Sequence, residues 1–162
     1  MEKIVHKTIS LKRLMFHIML PILGGVLLRF ILNDTQMIYQ SLNLPFFAAP
    51  TWVFKPLWTL AFVFVGISAY LVSDSIKDSK LKIIALRLYY ATLAVTLLWP
   101  IIFFNMQSIN MSLAVSLLLL ACGGATFIKF RHFSVSSVIC FSIYAVWVIY
   151  LVVLNAAVVM MN

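Results

Sequence analysis

The chain has 162 residues, 64% of them apolar and only 10% charged, where soluble domains run nearer half apolar and a quarter charged. A soluble globule of this length cannot hide so much Leu, Ile, Val and Phe, and the same figures exclude a disordered chain. The formal net charge of +8 falls in short stretches between long apolar runs, which is the pattern of a polytopic helical membrane protein and not of a nucleic-acid binder.

A spanning helix needs about 20 predominantly apolar residues, and five segments qualify. The stretch Met1 to Arg13 is basic and partly amphipathic, and the run after it is long enough to span, so no removed signal peptide is expected. The first span is Leu14 to Leu32, with Pro21 and Gly24-Gly25 inside it. Asn33 to Ala49, carrying Asp34, Asn43 and Pro45, reads as the longest connection. The second span is Pro50 to Ser73, followed by the polar connection Asp74 to Lys80. The third span is Leu81 to Asn105, the fourth Ile109 to Phe130 and the fifth Ser134 to Met161, with tight turns at Met106 to Ser108 and Arg131 to Phe133. The expected architecture is an all-α membrane protein, a single domain over residues 1–162 forming a bundle of five transmembrane helices.

Counting Lys and Arg orients that bundle. Lys3, Lys7, Lys12 and Arg13 precede the first span, Lys77, Lys80 and Lys82 surround the second connection, and Lys129 and Arg131 flank the fourth turn. With five spans all nine share one face, and the opposite face has none. The positive-inside rule then puts the N-terminus in the cytoplasm and the C-terminus outside a cytoplasmic membrane. Arg29, Lys55 and Arg87 lie near predicted helix ends, where snorkelling to the interface is the default. No acidic residue lies inside a span, which counts against an ion-driven transporter.

Aromatic residues mark the spans unevenly. Trp52 falls at the interface, as a belt residue would, whereas Trp58, Trp99 and Trp147 lie deeper. Each deep Trp belongs to a stripe at helical spacing: Phe54, Trp58, Phe62 and Val65; Tyr89, Thr92, Thr96, Trp99 and Phe103; Tyr144, Trp147, Leu151 and Leu154 with Asn155 adjacent. Such stripes suit helix packing, but three of them mixing indoles with Thr and Asn also suit a flat, mostly apolar cavity with a few polar handles. Gly24-Gly25, Gly66, and Ala121 with Ala125 suit close helix contact. Cys122 and Cys140 sit in apolar runs as packing residues, and His6, His17 and His132 are scattered. No nucleophile elbow, metal-ligand cluster or cofactor loop is present, so polar catalysis and a metal site are not expected.

The chain resembles the TspO/MBR family, the tryptophan-rich sensory proteins related to the mitochondrial translocator protein. Pro50-Thr-Trp-Val-Phe-Lys-Pro-Leu-Trp-Thr59 is similar to the family's P-x-W-x-F-x-P-x-W-T, and Gly66 with Ala69-Tyr-Leu-Val72 follows its continuation. Leu88-Tyr89, Leu93, Trp99 and Phe103-Phe104 fall on its third-helix positions, and Tyr144, Trp147-Val148 and Leu154-Asn155 on its fifth-helix positions. The resemblance implies five transmembrane helices, a homodimer in the lipid bilayer, and a pocket among helices 2, 3 and 5 beneath the first long loop. It also implies a porphyrin or other tetrapyrrole as ligand, with no required cofactor. By position, the ligand-binding residues would be Tyr39, Trp58, Thr96, Trp99, Trp147 and Leu151, of which the stripes contain all but Tyr39.

Several positions depart from the family pattern. Ile38, Leu44, Phe47, Ala49 and Ile143 replace its usual Trp, Lys, Trp, Pro and Pro, and Thr92 and Thr96 stand where Gln and Asn are usual. Leu151 replaces a small Ala and should narrow the pocket. The sterol-recognition pattern that follows L-N has no counterpart in residues 156–162, which carry no Tyr and no basic residue. Three functions follow as expectations: a tetrapyrrole-binding sensory or translocator protein; a light-dependent porphyrin-degrading enzyme in which Trp58 and Trp147 supply electrons; or a transporter of porphyrin-like or other small apolar molecules.

Overall fold

Leu, Ile, Val and Ala dominate five long runs, and each forms a helix because a chain in hydrocarbon must satisfy its backbone hydrogen bonds internally. The computed structural model describes residues 10–162. It contains α1 (Leu11–Ile31), the short α2 (Thr35–Gln40), α3 (Thr51–Ser73), α4 (Ser79–Pro100), a π-helical turn (Ile101–Asn105), α5 (Ile109–Phe130) and α6 (Val135–Met161). Five of these helices are long and apolar enough to cross a membrane: α1, α3, α4 with its π turn, α5 and α6. Lys3, His6 and Lys7 lie outside the described residues.

Two details differ from the sequence expectation. The first connection is not merely a loop. Asp34 caps α2, its Oδ1 accepting from the backbone N–H groups of Gln36 (3.1 Å) and Met37 (3.0 Å), the usual role of Asp at an N-cap. The third span is not one regular helix either. Pro100 has no N–H to give the carbonyl four residues back, and the next residues widen into the π turn, where the Met106 N–H reaches the Ile101 carbonyl at 3.1 Å.

Around the bundle α1 packs on α3, α3 on α6, α6 on α5 and α5 on α4, while α1 and α4 meet sparsely. The α1–α3 crossing is tight at Gly66, where a Cβ would lie 2.6 Å from the His17 carbonyl oxygen and 2.7 Å from the Ile18 Cα. Polar pairs join the other helices. Thr92 and Thr126 share a hydroxyl hydrogen bond of 2.9 Å between α4 and α5, Ser68 donates to the Ser137 carbonyl at 2.6 Å, and Asn155 donates to Ser112 at 3.1 Å. Small residues and interhelical hydrogen bonds are the usual means of holding helices together in lipid.

Side-chain contacts tie the elements together at each end of the bundle. At the basic end Arg13 pairs with Asp74 at 3.3 Å, the Lys77 ammonium donates to the His132 carbonyl at 2.7 Å, and the Lys82 ammonium donates to the Ser75 carbonyl. At the other end Asn105 accepts from the Asn33 N–H (2.9 Å) and donates to the Ile31 carbonyl (2.8 Å), and Asn43 and Asn162 exchange hydrogen bonds of 2.9 and 3.0 Å.

Candidate functional site

A cavity of about 680 Å³ opens at the end opposite the basic one, lined by α1, α2 with the residues before it, α3, α4, the π turn and α6. Part of each sequence stripe faces it: Phe54, Trp58 and Phe62 from α3, Thr96, Trp99 and Phe103 from α4 and the π turn, and Leu151, Leu154 and Asn155 from α6. Trp58 projects from α3, Trp99 from α4 and Leu151 from α6, while Tyr39 on α2 forms part of the rim. Trp99 stacks on Phe103, with ring centroids 5.2 Å apart and planes at 27°, so the π turn sets the position of a second wall ring.

Polar side chains on the lining are Arg29, Asn33, Asp34, Thr35, Gln36, Thr51, Lys55 and Thr59, with Thr96 and Asn155 on α4 and α6. The Thr96 hydroxyl donates to the Thr92 carbonyl at 2.7 Å and also pairs with the Tyr144 hydroxyl. Having a single O–H, it keeps no donor for a ligand. Thr92 is turned toward Thr126 on α5 and is not among the wall residues. The indole N–H of Trp99 is buried with no partner among the described residues. Tyr39 donates to the Ala49 carbonyl at 3.2 Å, and burial, with a smaller contribution from Tyr150, pushes its phenol up to about 12. Ala49 in turn donates its N–H to the Tyr150 hydroxyl at 2.8 Å, so the first connection is fastened to α6.

Five of the six residues carried over by position, Tyr39, Trp58, Thr96, Trp99 and Leu151, lie on the cavity wall. Trp147 is buried one layer back, edge-on to Trp58 (6.0 Å) and Phe54 (5.6 Å) and stacked on Tyr150 (5.1 Å, 22°). Sequence reasoning placed the pocket among the second, third and fifth spans and left out the first. Here α1 supplies a wall through Ile22, Gly25 and Arg29. The available signal was Arg29 itself, a cation within a span that has no acidic partner. Arg29 and Lys55 are both exposed and both line the cavity mouth, and among the described residues neither makes an ion pair. Trp52, 73% exposed, is not among the wall residues.

Five helices long and apolar enough to cross a membrane, with an aromatic-walled cavity among them, define a class of small multi-pass integral membrane protein. The TspO/MBR family profile matches residues 17–161, and the chain belongs to that family. It is 28% identical over 135 residues to the tryptophan-rich protein TspO of Archaeoglobus fulgidus, covering 82% of this chain and 85% of that protein. It is 30% identical over 124 residues to protein CrtK of Rhodobacter capsulatus (76% and 78% covered) and 28% identical over 128 residues to the human translocator protein (78% and 76%).

Proposed function

We propose that this protein is a sensory or translocator protein that binds a flat, tetrapyrrole-like acid in the cavity. The observation that carries the reading is the pairing of indole walls, Trp58 and Trp99, with two cations, Arg29 and Lys55, at the mouth. Aromatic faces favour a flat apolar ring system. Carboxylates on its edge would gain charge-assisted hydrogen bonds from Arg29 and Lys55, and the Trp99 N–H offers one further donor. Titration of the purified protein with protoporphyrin IX, followed by tryptophan fluorescence, should give saturable quenching. Unsaturable quenching, equal to that of free tryptophan, would sink the proposal.

A second reading draws on the Trp58–Trp147 contact. Two oxidisable indoles in series, the first on the wall, suit electron donation to a photoexcited pigment. Light-dependent loss of the porphyrin absorption band that is faster than for the free pigment and slowed by Trp58→Phe or Trp147→Phe would support it, and bleaching no faster than that of the free pigment would remove it.

The asymmetry of Lys and Arg supports a cytoplasmic membrane location with the basic end in the cytoplasm. A reporter after Asn162 should be reached from outside and one before Met1 should not. The homodimer implied by the family is tested by cross-linking in native membranes, where a monomer-only pattern would exclude it.

A further inference from the structure

Along α1, Ile18, Ile22, Gly25 and Arg29 follow one another at steps of four, three and four, and so share a face. On α3, Lys55, Thr59, Phe62 and Gly66 do the same. Toward the basic end these faces touch: Gly66 lies against His17 and Ile18, and a Cβ on Gly25 would lie 2.8 Å from the Phe62 ring. Beyond Gly25 the two faces continue along the cavity. Arg29, Lys55 and Thr59 continue the contact faces yet are exposed, and together with exposed Val26 they also line the cavity. The same residues thus line the chamber and remain accessible.

On the α1–α4 side the two segments touch at Gly24 and are tied again at the π turn. A Cβ on Gly24 would lie 2.7 Å from Leu97 Cδ1, and Asn105 holds both the Ile31 carbonyl and the Asn33 N–H. The edge of the α1–α3 gap is also suited to hydrocarbon. Thr59 returns its hydroxyl to the Lys55 carbonyl at 2.9 Å, so this hydroxyl is not left unpaired toward lipid.

We infer that the gap between the α1 and α3 segments beyond Gly25 and Phe62 is a membrane-side entrance to the cavity, through which a flat apolar acid passes from the bilayer with its carboxylate between Arg29 and Lys55. The nature of the ligand rests on the proposed binding function; the opening to lipid does not. Charge complementarity selects the acid, since the two cations flank the gap at the interfacial end of their helices, where long basic side chains reach the headgroup region.

The opening is tested in vesicles with a protein whose remaining tryptophan is Trp58 (Trp52→Phe, Trp99→Phe and Trp147→Phe). Lipids brominated on their acyl chains should reduce its fluorescence by roughly half, because bromines there reach only groups open to the hydrocarbon core. Val26→Phe with Thr59→Phe should restore the signal, and an unquenched Trp58 would overturn the inference. Should that protein not fold, a nitroxide on Thr59→Cys, with Cys122→Ala and Cys140→Ala, replaces it. Greater access to oxygen than to a water-soluble nickel chelate is expected, and the reverse order overturns the opening. In the wild-type background, the two Phe substitutions should slow uptake of protoporphyrin IX preloaded in the vesicles by roughly fivefold or more, gated entrances acting first on association rates. Equal uptake overturns the entrance role. A wild-type protein that takes up no porphyrin while bromolipid still quenches Trp58 overturns the ligand and leaves the opening standing.

Discussion

Trp58 and Trp147 meet edge to face, ring centroids 6.0 Å apart and planes at 87°, yet only Trp58 lies on the cavity wall. The two indoles therefore act at different distances from any bound ring. Removing a base–aromatic stack elsewhere costs about 1–3 kcal/mol, and a Phe replacement should lose less. Trp58→Phe should weaken protoporphyrin IX binding by about fivefold, roughly 1 kcal/mol. Trp147→Phe should change it less, and Trp52→Phe least. Titrations of the three variants decide this, and a larger effect from Trp52 would move the site to the membrane surface.

Leu151 is 3% exposed and lines the cavity from α6. Leu151→Ala should enlarge the chamber and strengthen binding of bulky aromatic ligands. It should also lower stability, by about 2–5 kcal/mol if the void stays empty. Thermal unfolding with and without ligand measures both effects. Unchanged affinity in a folded variant would show that the side chain does not limit the ligand.

Gly66 and Gly124 offer a matched pair. A methyl at Gly66 meets backbone atoms of α1 at 2.6 and 2.7 Å, whereas nothing lies within 4 Å of a Cβ at Gly124. Backbone cannot swing aside as a side chain can, so Gly66→Ala should destabilise by about 1–3 kcal/mol, the usual cost of overpacking. Gly124→Ala should be neutral or slightly stabilising, since Ala is the better helix former. Equal thermal stability of the two would remove the tight α1–α3 crossing.

Tyr39 predicts a pH dependence. Its phenol is raised above the ordinary value of 10 to about 12, first by burial and then by Tyr150. For a folded pKa raised in this way the contribution to stability is whole below pH 10 and is lost as pH climbs from 10 through 12. The fastening of the first connection at Ala49 and Tyr150 should therefore weaken in that window. The difference in tyrosinate absorbance between wild type and Tyr39→Phe should show one phenol titrating between about pH 10 and 12. Identical titration curves for the two proteins in that window would show that Tyr39 does not titrate there.

The five spans, their order and the sharing of one end by Arg13, Lys77 and Lys82 were legible in the sequence because each is a local property. A run of apolar residues is long enough to span or it is not, and Lys and Arg lie between runs or within them. The indole stripes were legible for the same reason, since helical spacing alone places Trp58 with Phe62 or Trp99 with Phe103. The cap on α2 was half legible: Asp34 carries the right chemistry, but six residues make too short a helix to leave a period. What a stripe faces was decided by tertiary packing. Thr92 and Thr96 are four residues apart on one helix face, yet α5 takes Thr92 through Thr126 while the cavity takes Thr96. Trp147 and Leu151 divide in the same way, one into the layer behind Trp58 and the other onto the wall. The part played by α1 depended wholly on the fold, because Arg29 lines the cavity only once α1 is seated on α3. That seating includes a contact between residues more than forty positions apart, Gly66 against His17 and Ile18, and no local pattern contains it.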